Sequence, residues 1–169
     1  MSYLYPHKPH WKQDYINARD LIMSGFDASL RLYHIGSTAI EGLYAKDCID
    51  ILGVTDDLDK VISNKQYLMD SNYVYKGEYG IPGRAYFSKN SRKVHLHVLE
   101  HGHDQIIKHL GFIHFMRNNS SYIAELNALK TRLQDQYPHD KEAYQLEKKP
   151  FYDKIHRLST LTQKDIATL

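Results

Sequence analysis

The spacing of apolar residues divides the chain into a leading helix, a strand-rich middle and a helical end. In the first part, the side chains of Trp11, Tyr15, Ala18, Ile22 and Phe26 recur every three or four residues. This period places them on one side of a helix. The pattern predicts an amphipathic helix that packs against the rest of the protein by that face.

The middle of the chain carries short apolar runs separated by turn residues. These runs predict strands at 30–35, 48–54, 73–79, 84–88 and 93–99. Between the second and third strands, Asp56 and Asp57 predict the start of a helix that continues to about Met69, because carboxylates favour a helix N-terminus. The middle therefore predicts a small sheet with one inserted helix.

The last third has no strand pattern. It predicts helices near 104–117, 120–137, 140–157 and 162–169, with Ser120 and Asp140 as N-caps. The whole order predicts an α+β fold, in which a mixed sheet is covered by helices and the C-terminal third is helical. We expect one domain over residues 1–169, with a sheet core at about 28–100 and a helical part at about 103–169.

Composition narrows the class of protein. A chain of 169 residues can bury a core that is stable without disulfides or structural metal sites. Its one cysteine, Cys48, excludes an internal disulfide. The first ten residues lack the pattern of a signal peptide, and no apolar run approaches the ~18 residues of a membrane helix. We expect a cytoplasmic protein without a membrane partner. A net charge of +2 gives no argument for a nucleic-acid surface, and the oligomeric state is left open.

A candidate phosphate site lies where the first predicted strand ends. Gly36 allows close approach of a ligand to the backbone, and Ser37 and Thr38 add hydroxyl donors. Lys46, further along, would neutralise phosphate charge. Gly-Ser-Thr is also a common turn composition, so a purely structural turn stays open.

Asp50 is the candidate catalytic residue. It lies inside the apolar run Cys48–Leu52, where an unpaired carboxylate would be costly to bury. Strand alternation points Asp50 away from Ile49 and Ile51, so the isoleucines face a core and the carboxylate faces a cleft. The alternative is a structural ion pair with Lys46 or Arg84.

The stretch from His34 to Leu52 resembles the signature of the GrpB family, H-I-G-S-T-A-V-P-G-L-x-A-K-x-x-I-D-I. The similarity continues through Pro82–Phe87 and His95–Val98 into the C-terminal helices. It implies a nucleotidyltransferase fold and no established activity. The sequence departs from the family pattern at Glu41, where proline is usual, and at Ile113-His114, where an Arg-Asp pair is expected.

Nucleotidyltransferases hold two Mg²⁺ ions with Asp-x-Asp on one strand and a third carboxylate on its neighbour. Here Asp50 takes the first position, but Leu52 takes the second and cannot bind metal. His95 and His97 share a face of the last predicted strand and would complete a set of two histidines and one carboxylate. Such a set suits Zn²⁺, Mn²⁺, Fe²⁺ or Ni²⁺ better than Mg²⁺. The alternative is two exposed or hydrogen-bonded strand histidines.

Three functions remain open. The first is a nucleotidyltransferase-like protein that binds a nucleotide or another phosphate-bearing small molecule with a divalent metal, Arg84 neutralising phosphate together with Lys46. The second is a non-catalytic binding module, which the loss of Asp-x-Asp favours. The third is a metal-dependent hydrolase. Arg84 has a structural alternative as the partner of Asp50 or Glu78.

Overall fold

A computed structural model describes residues 3–27 and 29–169 of the chain. The predicted domain start at residue 1 and the predicted start of the sheet core at residue 28 lie outside the described residues. A mixed sheet forms the middle layer, and helices cover it on both sides. The prediction of an α+β fold with a helical C-terminal third is confirmed.

The strands of the sheet pair in the order β1-β2-β5-β4-β3. Their bounds are β1 Arg31–Ile35, β2 Ile49–Thr55, β3 Val74–Tyr75, β4 Arg84–Lys89 and β5 Val94–Glu100. The two central strands, β2 and β5, run parallel, and the other pairs are antiparallel. This order puts Asp50 and His95 directly opposite each other at the centre of the sheet.

The helices flank the sheet in two groups. Before β4 come α1 His10–Met23, α2 Leu58–Ser63 and α3 Lys65–Asp70; after β5 come α4 Asp104–Asn118, α5 Ser120–Gln136, α6 Lys141–Leu158 and α7 Gln163–Ile166. No helix among the described residues is both long enough and apolar enough to cross a membrane.

Each face of the sheet has its own core. One face joins Ile49, Ile51 and Leu96 to Trp11 and Leu68 from the first group of helices. The opposite face joins Leu52, Val54 and Leu99 to apolar residues of the second group. Alternation along β2 and β5 produces this division, because neighbouring residues of a strand point to opposite sides.

Several predicted elements differ from the structure in extent, and the last helix, predicted at 162–169, is reduced to α7. The predicted helix from residue 56 to Met69 is wrong as one helix, because Asn64 separates α2 from α3 and its side-chain amide donates to the Lys60 carbonyl. The predicted strand 73–79 is reduced to β3, since the chain turns at Gly77 with a φ of 63°. The N-cap of α5 is Asn119, one residue before the predicted Ser120, whereas Asp140 caps α6 as predicted.

Candidate functional site

The side chain of Asp50 lies on the face of the sheet covered by the second group of helices. Its Oδ1 is 3.2 Å from Nε2 of His97 and 3.5 Å from Nδ1 of His95, both on the neighbouring strand β5. Burial raises the pKa of the Asp50 carboxyl, but the hydrogen bonds from His95 and His97 outweigh it and hold that pKa below its usual range. Asp50 is therefore a charged carboxylate at neutral pH. Its ion-pair partners in the described chain are these histidines, not Lys46 or Arg84.

The Gly36 turn closes over the Asp50 carboxylate. Gly36 has φ 73° and ψ −174°, a conformation that is essentially restricted to glycine. A Cβ at this position would lie 2.9 Å from Asp50 Oδ2, closer than side-chain carbon atoms come to such neighbours. Ser37–Ala39 then form a single 3₁₀ turn. The glycine is thus required both by the turn and by the carboxylate beneath it.

Helix α5 fixes this turn from the opposite side. The Lys130 amine donates to Oγ of Ser37 at 2.7 Å and to the Tyr44 carbonyl at 2.8 Å. The side chain of Asn127 accepts from the Tyr44 amide at 2.7 Å and donates to the Gly42 carbonyl. Burial, with repulsion from other lysines, holds the pKa of Lys130 well below its ordinary value. A nearly buried amine therefore faces the hydroxyl of the turn.

A basic cleft of about 890 Å³ opens beside Asp50. Ser37, Thr38, Asp50 and His95 form part of its wall. Five lysines also line it: Lys46, Lys93, Lys130, Lys141 and Lys148. These lysines outnumber the two carboxylates of the lining, Asp47 and Asp50, so the cleft is basic, and its arginine, Arg92, is already paired with Asp14 and Asp47.

Helix α6 contributes one continuous face to the site. Lys141, Tyr144, Lys148, Tyr152 and His156 recur at intervals of three and four residues, so they share one side of the helix. The first three line the basic cleft, and the last two line a neighbouring cavity. Burial lowers the pKa of Lys148 to about 8, with repulsion from Lys46 in the same direction and attraction to Asp50 opposing both.

The neighbouring cavity measures about 290 Å³ and shares Ser37 and Asp50 with the basic cleft. Its walls are mostly apolar and include Phe112 and three histidines: His97, His109 and His156. Burial, with repulsion from His97, lowers the pKa of His109 to about 4, so its imidazole is neutral at neutral pH. Two cavities of different chemistry thus meet at one carboxylate. We call the second one the histidine pocket.

The remaining predicted residues lie around this centre with different partners. The Thr38 hydroxyl is 2.9 Å from Nε2 of His34, which lies on the opposite face of β1 and stacks on Tyr15. The guanidinium of Arg84 donates to the carbonyls of Glu78 and Tyr79 and reaches Nδ1 of His97 at 3.2 Å.

A two-magnesium site does not fit the residues present. Leu52 occupies the position of the second carboxylate, is fully buried and packs in the core beneath α4. The residue paired with it on β5 is His97, which supplies nitrogen rather than oxygen. Mg²⁺ prefers oxygen ligands in an octahedral shell, so Asp50 alone cannot support the usual pair of ions.

Several residues of the site are not singled out by the sequence. Cys48 has its thiol within 4.8 Å of ligand atoms of Asp50 and His95, and its spacing of two residues from Asp50 is a usable signal that these two side chains share a face. Lys141, His109 and His156 are also unassigned, although the spacing along α6 is a usable signal for two of them. From the sequence, Lys130 and Lys148 are recognisable only as lysines on helices, because the pattern does not determine where their side chains point.

Comparisons with known proteins agree with this architecture. The model of the GrpB protein family matches residues 3–157. The glutamate-rich protein GrpB of Alkalihalophilus pseudofirmus is 32% identical over 160 residues, which cover 90% of this chain and 92% of that protein. The crystal structure of the conserved protein GrpB from Enterococcus faecalis matches with a TM-score of 0.86 at 26% identity, covering 92% and 96% of the two chains.

More distant similarity extends to a poly(U) polymerase and a terminal uridylyl transferase. The Cid1 poly(U) polymerase with Mg and 3′-dATP bound has a TM-score of 0.57 at 11% identity, over 84% of this chain and 49% of that one. Terminal uridylyl transferase 4 from Trypanosoma brucei with bound CTP has a TM-score of 0.51 at 11% identity, over 96% and 55%. At this identity the likeness establishes a nucleotidyltransferase-like fold and nothing finer.

Proposed function

The chain belongs to the GrpB family, and we propose that it binds a nucleotide, or another phosphate-bearing small molecule, in the basic cleft beside Asp50. The observation that carries this proposal is that five lysines line one cleft together with Ser37, Thr38 and Asp50. Crowded amines repel one another, and the lowered pKa values of Lys46 and Lys148 reflect that repulsion together with burial. A phosphate chain relieves the repulsion and pairs with several amines at once.

The predicted residues of the site have different roles in this proposal. Gly36 shapes the turn over Asp50, while Ser37 and Thr38 supply the polar edge that lines the cleft. Lys46 neutralises phosphate charge together with the lysines of α5 and α6. Arg84 acts through His97, because its guanidinium is already engaged by that ring and by two carbonyls.

A divalent metal at Asp50, beside His95 and His97, completes the proposed site. The candidates are Mg²⁺ or Mn²⁺ and transition metals such as Zn²⁺ or Ni²⁺, and the nitrogen donors favour the latter group. A metal bound there would supply positive charge next to the phosphate. The mismatch with a two-magnesium site means that no step of ordinary two-metal transfer is assigned to these residues.

The histidine pocket supports transfer of the nucleotide rather than binding alone. It meets the basic cleft at Ser37 and Asp50, so an acceptor in the pocket would face a phosphate in the cleft across the carboxylate. In that reaction the acceptor oxygen bonds to the α-phosphorus, diphosphate leaves and the acceptor proton passes to water. Asp50 would position the reacting groups. A cytoplasmic location, where nucleoside triphosphates are available, belongs to the same proposal.

The competing function is a binding module without catalysis, and the burial of Leu52 in the core favours it. Such a module would bind the nucleotide and leave it intact. A metal-dependent hydrolase, by contrast, would cleave the phosphate chain with water and without any acceptor. The binding module would give no product, and the hydrolase would give a cleaved nucleotide without a modified acceptor, so both differ from transfer.

A thermal-shift panel tests the proposal. The purified chain is titrated with nucleoside triphosphates alone and with Mg²⁺, Mn²⁺, Zn²⁺ or Ni²⁺, because a bound ligand raises the melting temperature by mass action. We expect a shift with at least one triphosphate, a smaller shift for Lys46→Ala and the loss of the metal-dependent part in Asp50→Ala. Lys12→Ala is the matched control, since Lys12 is an exposed lysine of α1.

The outcomes test phosphate binding itself and distinguish the binding module from the hydrolase. Absence of a shift with every nucleotide and metal, or equal shifts in Lys46→Ala and Lys12→Ala, would overturn phosphate binding in this cleft. A shift with intact nucleotide recovered by chromatography would favour the binding module. Released inorganic phosphate without a modified acceptor would favour the hydrolase.

A further inference from the structure

We propose that Cys48, Asp50 and His95 form a binding site for a single soft transition metal such as Zn²⁺, and that His97 positions Asp50 without binding the metal. The proposal refines the metal site of the proposed function. It rests on that function only in assigning a metal to Asp50, and it does not require a nucleotide to bind.

The first argument is the arrangement of the three donors. One atom each from the Cys48 thiol, the Asp50 carboxylate and the His95 ring lie within 4.8 Å of one another. Around a tetrahedral zinc ion, with bonds of ~2.0–2.3 Å, two ligand atoms are separated by roughly 3.4–3.6 Å. The three side chains are only half-buried, and the proposal requires them to close to that spacing when the ion enters.

The second argument concerns the protons of His97. A guanidinium has only hydrogen-bond donors, so Nδ1 of His97 accepts from Arg84 at 3.2 Å. In the neutral ring the proton is then on Nε2, which donates to Oδ1 of Asp50 at 3.2 Å. A metal-binding nitrogen needs its lone pair free. Both ring nitrogens of His97 are engaged by these hydrogen bonds, whereas in the described chain His95 has only its Nδ1 near Asp50, at 3.5 Å, so its other nitrogen is free to bind a metal. His97 thus holds the carboxylate in place, as residues behind a metal ligand commonly do.

The third argument is the chemistry of the donor set. Sulfur, nitrogen and one oxygen suit Zn²⁺ and disfavour Mg²⁺, which prefers oxygen ligands. Cys48 would bind as a thiolate, and its proton would pass to solvent when the metal enters. Three protein ligands leave one tetrahedral position open toward the basic cleft, which both Asp50 and His95 line. That position is available to water or to a phosphate oxygen.

Cobalt absorption spectroscopy tests the proposal on the metal-free full-length chain. Co²⁺ bound by a thiolate gives a charge-transfer band in the near ultraviolet, and Cys48 is the only cysteine, so the band reports on this residue alone. We expect the band in the unchanged protein, its displacement by Zn²⁺ and its loss in Cys48→Ser. The Zn²⁺ affinity of Cys48→Ser should fall by more than about tenfold, with little change for Mg²⁺.

Further variants distinguish this site from other ways of binding cobalt. Asp50→Asn and His95→Gln should abolish the band, while His97→Gln should retain it, since the glutamine amide can still donate to Asp50. His139→Gln is the control for His95→Gln because His139 is exposed and outside the cleft. Thermal unfolding of each variant establishes that it is folded.

Three results would overturn the proposal. The first is cobalt binding to the unchanged chain without a thiolate band. The second is a band that survives in Asp50→Asn, which would assign Cys48 to a different metal site. The third is loss of the band in folded His97→Gln, which would make His97 a ligand. None of these results depends on nucleotide binding, so failure of the metal site and failure of the proposed function are distinguishable.

Discussion

Strand β2 presents two faces that the flanking helices treat differently. On one side, Ile49 and Ile51 are fully buried in a core that the first helices seal. On the other side, Leu52 is equally buried beneath α4, but Asp50 lies where α5 and α6 leave a cleft between themselves and the sheet. One strand therefore packs in a core along one face and borders the basic cleft at one end of the other face. The boundary between these roles falls between Asp50 and Leu52.

The largest expected effect comes from placing a second carboxylate at Leu52. Leu52→Asp restores the Asp-x-Asp motif. It also puts a charge into an apolar core and removes a packed side chain. We expect a loss of about 4 kcal/mol or more in the free energy of unfolding and no gain of Mg²⁺ binding. Urea denaturation measures the first quantity and calorimetry with Mg²⁺ the second.

Leu52→Ala separates the charge from the cavity in that experiment. It should lose only the ~2–5 kcal/mol typical of a truncated buried leucine. If Leu52→Asp were as stable as Leu52→Ala and bound Mg²⁺, the core at this position would be adaptable. The boundary between packing and chemistry on β2 would then be misplaced.

Ile51→Ala tests the face of β2 that points away from the basic cleft. This side chain is fully buried on the side away from the cleft, so its truncation should reduce the free energy of unfolding by ~2–5 kcal/mol. Triphosphate binding, measured well below the melting temperature, should be unchanged. Leu146→Ala, at a site that is 69% exposed, provides the control and should change stability by less than about 0.5 kcal/mol. Weaker binding in Ile51→Ala would mean that the faces are coupled.

These two faces also show what the sequence can predict. Alternation with a period of two is a local property, so it is enough to turn Asp50 away from its neighbouring isoleucines and to put His95 and His97 on one face of their strand. That the two strands are neighbours depends on their pairing in the sheet. The extent of the basic cleft is not local. Lys130 and Lys148 reach it because α5 and α6 dock across the sheet at particular angles, and those angles depend on the packing of the whole core rather than on neighbouring residues.

The same limit explains the histidine pocket and the turn. His109 and His156 belong to separate helices, and only their packing brings them close to Asp50. By contrast, the Gly36 turn is predictable, because a glycine between a strand and two hydroxyl residues is a short-range signal. The close contact between Gly36 and Asp50 is not predictable in this way, since it joins residues on two strands.

A smaller effect is expected from Gly36→Ala, which tests the contact between turn and carboxylate. The backbone strain is ~1–3 kcal/mol, and the new Cβ should also push Asp50 away from His95 and His97. We therefore expect reduced stability together with weaker metal and triphosphate binding. Gly77→Ala is the matched control, because Gly77 also has positive φ but has open space where a Cβ would lie. Equal effects of both variants on binding would remove the steric role of Gly36.

The smallest expected effect is the pH dependence of triphosphate binding that Lys148 produces on the open face. Its pKa of about 8 lies below the ordinary lysine value because of burial and Lys46. An anionic ligand favours the protonated amine, so affinity should fall as pH rises through about 8, by at most about tenfold per pH unit. The free energy of unfolding of the unliganded protein changes with pH in the opposite direction. Above about pH 8 the unfolded chain keeps this lysine proton after the folded protein has lost it, so stability should rise with pH until the ordinary lysine pKa is reached.

Isothermal titration of a triphosphate between pH 7 and pH 9 without added metal measures this dependence. Lys148→Arg should flatten the curve, because a guanidinium stays charged throughout this range, and Lys12→Ala should follow the unchanged protein. The comparison also cancels the titration of the ligand itself, which is common to all three proteins. An identical slope in Lys148→Arg would mean that another cleft amine, such as Lys46, carries the dependence. The pH dependence of triphosphate binding would then come from a lysine outside α6.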